Sequence, residues 1–355
     1  MDFQKAFDKV PHKRLLRKVR SVGIGGHIYN WLENWLSQRS QRVQLAGFSS
    51  DWVEVKSGVP QGSVLGPILF LIYINDIDEG ISSKILKFAD DTKLYRKLET
   101  DSDIVQLQQD LANLFEWSRD WLMLFNVEKC KVMHIGYNNV ETIYLMNGSA
   151  LQKVAEEQDL GVVVQGNLKC TKQCAKVVTK ANRTLAMIKR NFSNFSAEVV
   201  LRLYKSLVRP QLEYVVQAWR PHLKKDIMLI EGVQRRATKL VHHLKDSPYE
   251  TRLRSLRLTT LETRRLRGDL IEVFKIFKGF YKLEPERFFT VNDSGIRGHD
   301  LKLFKPRCRL DCKKFAFSHR VVENWNNLSF DITACNSVNS FKNRLDSYLE
   351  GRGFT

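Results

Sequence analysis

The stretch KILKFADDTKLY at residues 84–95 decides the organisation of the chain, because an apolar run delivers two adjacent aspartates, Asp90 and Asp91. Successive side chains on a strand point to opposite faces, so two consecutive carboxylates converge on one site only where the backbone bends. We therefore predict a β-hairpin with the two aspartates at its tip. Residue types that suit half-buried strands form its arms: Ile85, Leu86 and Phe88 before the tip, and Leu94 and Tyr95 after it.

The adjacent aspartates also predict a cation site. Two ionised carboxylates this close repel each other, so both stay charged only when cations neutralise them. Magnesium is the natural candidate, because it takes oxygen ligands and keeps positions for water and substrate phosphates. An Asp-Asp pair also occurs in ordinary solvated turns, so the assignment depends on the other motifs of the chain.

The second candidate element is MDFQKAFDKVP at residues 1–11. If a strand ends here and turns into a helix, Asp2 faces the tip that carries Asp90 and Asp91. Three carboxylates would then surround two cations about 4 Å apart, which is the arrangement that activates an attacking oxygen and stabilises a leaving oxygen in phosphoryl transfer. Asp8 is expected to serve the start of the next helix, where a carboxylate meets the positive end of the dipole.

Composition points to a folded protein with a polyanionic partner. The 355 residues carry a formal net charge of +18, and their hydrophobic fraction of 43% excludes a disordered chain. Such an excess of positive charge favours nucleic acid as the partner, with an anionic membrane surface second. The longest apolar run, residues 64–74, is too short for a bilayer and is interrupted by Gly66 and Pro67. We expect no membrane partner.

The six cysteines are expected to be reduced thiols, since no secretory segment is evident. Cys170 with Cys174, and Cys308 with Cys312, share an i, i+4 spacing that places each pair on one helix face. Zinc would require converging histidines, of which His319 is nearest to the second pair. Neither pair has the C-x2-C spacing of common structural zinc sites, so we assign no metal and expect thiols that pack in the core.

Helical periodicity predicts three helices in the first part of the chain. Residues 13–22 end at Gly23, and residues 104–121 form a long amphipathic helix. Residues 27–36 carry an apolar stripe that is expected in the core, formed by Ile28, Trp31, Leu32, Trp35 and Leu36. Residues 42–45 and 52–55 predict a hairpin around a Gly-Phe-Ser-Ser turn.

The stretch SGVPQGSVLGPILFLIYINDI at residues 57–77 predicts a loop that opens onto a buried helix, with Ser63 as its cap. Gly58 and Gly62 would let the backbone approach a bulky ligand closely. Gln61 offers that ligand both a donor and an acceptor.

Together, these sequence motifs resemble those of one protein family. DFQKAFDKVP, SGVPQGSVLGP and FADD resemble motifs A, B and C of reverse transcriptases from LINE-type, jockey-like non-LTR retrotransposons. FNVEKCKVMHIG at residues 125–136 is similar to motif D, and DLGVVV at residues 159–164 is similar to motif E. Further strings are similar to the C-terminal region of the same elements: LEYVVQAWRP, IEGVQRRATKLV, TLETRRLRGDL, ENWNNL and SFKNRLDSYL.

The resemblance implies an α+β fold with three parts. Residues 1–166 would be the polymerase palm, an antiparallel sheet with packed helices that carries motifs A to E. Residues 167–281 would form a basic, mainly helical thumb. Residues 282–355 would form a C-terminal helical tail without assigned chemistry, which begins with a loop region around Pro285, Gly295 and Pro306.

The resemblance also implies the catalytic residues. Asp2, Asp90 and Asp91 occupy the positions of the metal-binding carboxylates, which hold two Mg²⁺ ions or, alternatively, Mn²⁺. Lys129 matches the motif D lysine, which is suggested to protonate the pyrophosphate leaving group. For Lys129 the alternative is an ordinary solvated lysine.

Five further residues take binding roles from the same resemblance. Phe7 lies where the family places a bulky gate that collides with a ribose 2'-hydroxyl and so selects deoxynucleotides. Gln61 and Gly62 fall where motif B borders the nascent base pair and the template. Leu160 and Gly161 correspond to the primer-grip turn.

A strongly basic, helical stretch follows the motifs. Residues 167–270 contain 23 Lys and Arg against eight Asp and Glu. We predict that they hold template and primer by their phosphates. Two clusters are the candidate contacts: Arg235, Arg236 and Lys239 in the first, and Arg264, Arg265 and Arg267 in the second. The alternative is that these side chains pair with acids on neighbouring helices and serve only the fold.

The implied function is RNA-directed DNA polymerisation, in which a primer 3'-hydroxyl on an RNA template is extended with deoxynucleoside triphosphates. The site of action would be nuclear, with a cytoplasmic phase. The family places a fingers domain and an endonuclease before motif A, so we expect a truncated copy. The alternative is a catalytically inactive, nucleic-acid-binding remnant, and an RNA-templated RNA polymerase is disfavoured by Phe7.

Overall fold

The computed structural model describes residues 1–136, 138–192, 195–292 and 299–351. The chain divides into two compact units, Met1–Ala155 and Glu156–Thr355. Both combine helices with short strands, so the predicted α+β class holds at the coarse level of helices and small sheets. Gly295 lies outside the described residues.

The first unit contains four α-helices, two single-turn 3-10 helices (Ala6–Asp8 and Val127–Lys129) and ten short strands among its described residues. The helices are α1 (His12–Ser21), α2 (Gly26–Leu36), α3 (Leu65–Ile74) and α4 (Asp101–Asp120). The strands are β1 (Ser40–Gln41), β2 (Gln44–Leu45), β3 (Phe48–Ser49), β4 (Val53–Glu54), β5 (Lys84–Phe88), β6 (Asp91–Tyr95), β7 (Lys131–Val132), β8 (Leu145–Met146), β9 (Ser149–Ala150) and β10 (Gln152–Lys153).

The predicted hairpin at residues 84–95 is confirmed. Strands β5 and β6 pair antiparallel, with Phe88 opposite Asp91, so the connection is the two residues Ala89 and Asp90. Ala89 has a φ of 50°, a left-handed conformation that closes such tight turns. The other described strands of this unit also pair two by two, and only β7 with β10 is parallel among them.

The early helices are confirmed, but the predicted stripe on α2 is only partly in the core. Leu32 and Leu36 are buried, whereas Ile28 and Trp31 are 64% and 52% exposed. The buried face of α2 is narrower than the predicted stripe, and it contains Tyr29 in place of Ile28 and Trp31. In the neighbouring hairpin, the turn between β2 and β3 consists of Ala46 and Gly47, so it overlaps the predicted Gly-Phe-Ser-Ser turn only at Gly47.

The core of the first unit forms where α1, α3 and α4 bury their apolar faces. Leu15 and Val19 of α1 are fully buried, as are Phe70 of α3 and Leu114 of α4. The predicted cap at Ser63 is present, since its hydroxyl accepts a hydrogen bond from the backbone N–H of Gly66 at 2.9 Å.

The second unit is mainly helical. Its strands are β11 (Glu156–Asp159) and β12 (Val162–Gln165). Its helices are α5 (Thr171–Asn191), α6 (Ala197–Leu203), α7 (Arg209–Glu213), α8 (Val216–Trp219), α9 (Lys224–Thr238), α10 (Tyr249–Ser255), α11 (Leu261–Phe277), α12 (Asp311–Lys314), α13 (Phe317–Arg320), α14 (Val322–Asn326), α15 (Phe330–Thr333) and α16 (Val338–Gly351). A π-helical turn, Tyr204–Val208, joins α6 to α7.

Two apolar cores organise these helices. The first gathers α5, α9 and α10, with Ala181 and Ile230 fully buried. The second gathers α11, α14 and α16, where Phe274 stacks on Phe341 with ring centroids 4.2 Å apart. The helices predicted near residues 315–325 and 338–349 are therefore confirmed as α13, α14 and α16. Within the described part of the chain, no helix combines the length and the apolar character that crossing a membrane requires.

Candidate active site

Residues 1–4 lie along two neighbouring segments of the first unit. The Met1 amine donates to the Thr92 carbonyl of β6 at 2.7 Å. On the other side, Gln4 N–H donates to the backbone carbonyl of Leu124 at 2.9 Å. Asn126 N–H donates to the backbone carbonyl of Asp2 at 2.8 Å. Asp2 and Asp91 thus each lie one residue from the same hydrogen bond, which brings the first aspartate beside the tip of the hairpin.

The three predicted carboxylates have different surroundings. Asp2 and Asp90 are partly buried, and Asp91 is exposed. Within the described residues, the three do not form a set whose carboxylate oxygens all lie within 4.8 Å of one another.

Lys129 and Cys130 flank Asp2. The Lys129 ammonium lies 3.7 Å from a carboxylate oxygen of Asp2, and 69% of the lysine side chain is exposed. Beneath them the buried Cys130 sulfur accepts from Asp2 N–H at 3.5 Å. Burial raises the pKa of the Cys130 thiol, so this contact is made by a neutral group.

The loop that follows Asp2 is tied to the loop before α3. Val59 N–H donates to the Phe7 carbonyl and Gly58 N–H donates to the Val10 carbonyl, both at 2.8 Å. A Cβ at Gly58 would lie 2.8 Å from the Asp8 carbonyl oxygen, and its φ of +93° also disfavours side chains. The predicted close approach at Gly58 is therefore made to the chain itself and does not leave room for a ligand.

Asp8 does not serve the start of α1, contrary to the prediction. Its carboxylate accepts from Gln61 Nε2 at 3.1 Å, and α1 begins after Pro11 without a side-chain cap. Asp8 lies too far before the first turn of α1 to reach its N–H groups, and the loop at Gln61 lies closer. The loops of motifs A and B are thereby joined by their side chains as well as by their backbones.

The predicted nucleotide-binding residues lie on these joined loops. Phe7 is partly buried and stacks on Phe70, with ring centroids 4.5 Å apart. Gln61 and Gly62 are both exposed. Gly62 has a φ of +84° and open space where a Cβ would stand. Of the two predicted ligand-facing glycines, Gly62 is the one whose surroundings leave room for a ligand.

Comparisons with known proteins decide the family. Residues 1–177 match the profile of the reverse transcriptase (RNA-dependent DNA polymerase) family. They contain the three aspartates, Lys129 and the loops of motifs A and B. These residues belong to the reverse transcriptase family. The resemblance inferred from motifs A, B and C is thereby confirmed.

The reverse transcriptase domain and the helices after it are similar to polymerases of mobile elements. The RNA-directed DNA polymerase from mobile element jockey of Drosophila funebris is 27% identical over 279 residues, which cover 72% of this chain and 29% of that protein. The probable RNA-directed DNA polymerase from transposon X-element of Drosophila melanogaster is 27% identical over 252 residues, covering 68% and 28%. The chain spans about three tenths of the length of these curated relatives.

A third relative matches a shorter part of the chain. The retrovirus-related Pol polyprotein from type-1 retrotransposable element R2 of Popillia japonica is 30% identical over 143 residues, which cover 37% of this chain and 23% of that protein. The chain is thus homologous to polymerases of non-LTR retrotransposons.

The predicted primer-grip residues form the turn between β11 and β12. Leu160 and Gly161 both have positive φ, 44° and 86°, the pattern of a two-residue hairpin turn. The Tyr214 hydroxyl donates to the Leu160 carbonyl at 3.1 Å. These residues belong to the second compact unit.

The first predicted basic cluster lies on the exposed face of α9. Arg235, Arg236 and Lys239 are all exposed. The Arg235 guanidinium stacks over the Tyr249 ring at 4.0 Å, and Arg236 Nε donates to Asn182 at 3.2 Å. Their charged groups remain accessible to a phosphate backbone.

The second cluster, on α11, has a different environment. Arg264 forms a two-pronged ion pair with Glu213, and Arg267 forms one with Asp346. Arg265 is only 2% exposed, and burial lowers the pKa of its guanidinium. This arrangement agrees with the alternative stated above, in which these arginines pair with acids on neighbouring helices and serve only the fold. Phosphate binding by this cluster stays a prediction.

The structure adds contacts that the sequence did not reveal. The Asp8–Gln61 hydrogen bond, the position of Cys130 beneath Asp2 and the packing of Gly58 on Asp8 all join residues distant in the chain. Only Gly58 gave a signal, since a glycine next to a proline-containing loop indicates close backbone approach.

Proposed function

We propose that this chain supplies the palm of an RNA-directed DNA polymerase, in which Asp2, Asp90 and Asp91 bind the catalytic metal ions. The observation that carries the proposal is the hydrogen bond from the Met1 amine to Thr92, which sets Asp2 beside the hairpin tip. Membership in the reverse transcriptase family and the names of the relatives support it.

The donor atoms suit a pair of hard divalent ions. Three carboxylates offer oxygens only, the ligand type that Mg²⁺ prefers, and Mn²⁺ accepts the same set. When bound, such ions activate the primer 3'-hydroxyl and stabilise the leaving pyrophosphate. Hydrogen bonds on both sides of residues 1–4 fix the backbone that carries Asp2 beside the hairpin tip.

Lys129 has the position of a proton donor in this proposal. Its exposed ammonium lies next to Asp2 and is free to move toward a pyrophosphate oxygen. Donation of one proton from the ammonium nitrogen to that oxygen would leave a neutral lysine and a better leaving group.

The remaining loop residues would contact the nucleotide and the nucleic acid. The Phe7 ring, held against Phe70, would exclude a ribose 2'-hydroxyl. Gln61 and Gly62 would border the nascent base pair, and Leu160 and Gly161 would contact the primer. The partners are then an RNA template, a DNA primer and deoxynucleoside triphosphates, with a nuclear site of action and a cytoplasmic phase.

The metal ligands are tested by primer extension on an RNA template with the full chain. Activity should require Mg²⁺ or Mn²⁺ and should be lost in Asp90→Asn and in Asp91→Asn, since each variant removes a charged ligand at constant size. Asp51→Asn is the matched control, because Asp51 is an exposed carboxylate on another loop. Mn²⁺ binding, followed by electron paramagnetic resonance, should fall in the same two variants and persist in the control.

The outcomes separate the alternatives. Extension that survives in either hairpin variant contradicts the site assignment. A full chain that binds RNA and DNA yet extends no primer, with or without metal, contradicts the polymerase and favours the nucleic-acid-binding remnant.

Phe7 is tested by the choice of sugar. Phe7→Ala should raise ribonucleotide incorporation relative to deoxynucleotide incorporation, because a steric barrier is removed without loss of a hydrogen bond. Phe7→Tyr keeps the ring and should retain the preference of the unmodified chain. Measured ratios of kcat/KM for matched nucleotide pairs decide the point, and an unchanged ratio in Phe7→Ala means that the ring only packs against Phe70.

A further inference from the structure

Three metal-ligating side chains converge in the second unit, apart from the residues of the proposed polymerase site. The sulfur atoms of Cys170 and Cys174 and a carboxylate oxygen of Asp226 all lie within 4.8 Å of one another. Cys174 and Asp226 are buried, with 0% and 2% exposure, and Cys170 is partly buried. The sequence suggested that histidines would have to converge on this cysteine pair, but the group that does so is an aspartate 52 positions after Cys174.

The elements explain why these groups meet. Cys170 immediately precedes α5 and Cys174 lies one turn later, so both sulfurs fall on one helix face. Asp226 lies in the first turn of α9, which packs against α5. The positive ends of two helix dipoles therefore point toward the cluster, which favours thiolate and carboxylate charge there.

We propose that Cys170, Cys174 and Asp226 bind one zinc ion, with a solvent molecule as the fourth ligand. Thiolate sulfur and carboxylate oxygen are both zinc ligands, and three protein ligands with one open position are a common tetrahedral set. Zn–S bonds of about 2.3 Å and a Zn–O bond of about 2.1 Å place the ligand atoms roughly 3.6 to 3.8 Å apart. A contraction of about 1 Å at most closes the present set around the ion.

A hydrogen bond from outside the set already holds one of these ligands. The Thr171 hydroxyl donates to a carboxylate oxygen of Asp226 at 2.8 Å. Hydrogen bonds to ligand atoms orient them and are typical of metal sites. The partly exposed edge at Cys170 gives the ion an entry path and the solvent ligand a place.

The charge balance also suits zinc. Two thiolates, one carboxylate and Zn²⁺ carry a net charge of −1, and the buried Arg265 guanidinium near Cys174 supplies +1. Without the ion, the net charge of the two neutral thiols, the carboxylate and the guanidinium is also zero. Zinc would therefore enter by displacing two thiol protons, without leaving an uncompensated charge in a buried region.

The other cysteine pair offers a control within the same chain. Cys308 and Cys312 have the same spacing, but the described residues bring no third ligand within 4.8 Å of them. Cys312 is exposed, and the Cys308 sulfur donates to the Leu310 carbonyl at 3.4 Å. The i, i+4 spacing of two cysteines is therefore not sufficient for a site. Asp226 supplies the third ligand beside Cys170 and Cys174.

The test uses the full chain, purified under reducing conditions, stripped with a chelator and dialysed against Zn²⁺. Elemental analysis should find one zinc per chain, and Co²⁺ should give the near-ultraviolet charge-transfer bands of two thiolates on a tetrahedral ion. Cys170→Ser and Asp226→Asn should each weaken zinc binding by at least the roughly 10- to 100-fold that loss of an outer-shell partner costs, measured by competition with a chromophoric chelator. The matched double variant Cys308→Ser/Cys312→Ser should bind like the unmodified chain.

The proposal does not rest on the polymerase assignment. Substoichiometric zinc in the unmodified chain overturns it, as does binding that is unchanged in Asp226→Asn. Zinc that is lost in the Cys308→Ser/Cys312→Ser variant and kept in Cys170→Ser overturns it as well. Circular dichroism of each variant shows whether a loss of binding reflects a loss of helix.

Discussion

Helices α9 and α11 carry similar clusters of basic residues and use them differently. At the end of α9, Arg235, Arg236 and Lys239 are exposed, and the first two contact Tyr249 and Asn182. On α11, Arg264 and Arg267 are each held by an acid, from α7 and α16, and Arg265 is buried. We predict phosphate contacts from the α9 cluster, whereas acids on neighbouring elements neutralise Arg264 and Arg267 of the α11 cluster.

The acid at the centre of α11 shows how far this pairing extends. Asp269 is fully buried and accepts hydrogen bonds from two arginines, Arg220 at 2.8 Å and Arg320 through both oxygens at 2.9 Å. Arg320 also donates to the Gln217 carbonyl at 2.9 Å. Charges on α11 therefore join α8, α13 and the segment before α9 into one network.

The largest effect is expected from removing Asp269. Asp269→Ala should lower the free energy of unfolding by about 3 to 5 kcal/mol, because two partly buried guanidinium groups lose their counter-charge. Chemical denaturation followed by circular dichroism measures this. Glu262→Ala is the control on the same helix, since Glu262 is exposed. A loss in Asp269→Ala no greater than in the control would mean that the α11 charges do not hold the fold.

A smaller effect is expected at Arg264. Arg264→Ala should cost about 1 to 3 kcal/mol of unfolding free energy, because a charge-assisted, two-pronged bond to Glu213 is removed at a site about one quarter exposed. The double variant with Glu213→Ala should show coupling between the two side chains. Nucleic-acid binding supplies the second readout. A flatter dependence of affinity on salt in Arg264→Ala would show that this arginine contacts phosphate, and the contrast between the helices would break down.

The smallest effect on stability is expected on α9. Replacing Arg235, Arg236 and Lys239 with glutamine should change the unfolding free energy by no more than about 1 kcal/mol, mainly because the stacking on Tyr249 is removed. Affinity for nucleic acid should fall about equally for unrelated sequences. The slope of log affinity against log salt should flatten by about 0.9 for each phosphate that the variant no longer neutralises. An unchanged slope would remove α9 from the binding surface.

Much of the fold and part of the site could be predicted from the sequence because the signals are local. The Asp90–Asp91 hairpin and the positions of α1 and α4 follow from turn chemistry and periodicity within a few residues, whereas the turn at Leu160 and Gly161 was implied by the family resemblance. The order of motifs A, B and C along the chain indicates the family. The sequence also named Ser63 as a cap, since its hydroxyl needs only the next helical turn as a partner.

Other features depended on residues far apart in the chain. The helical spacing of apolar residues predicted that Ile28 and Trp31 lie in the core. Both are exposed, because a helix buries only the face that its neighbours cover.

Local sequence is sufficient to predict the motifs of the reverse transcriptase family, the basic character of residues 167–270 and the helices that carry it. Only the tertiary structure decided that Asp226 meets Cys170 and Cys174, that Asp8 bonds to Gln61, and which arginines remain free of acids. The physical reason is that a helix or a turn is stabilised by residues within about one turn of each other. An ion pair or a ligand set is stabilised by groups that packing brings together from distant segments, and no local pattern encodes that partner.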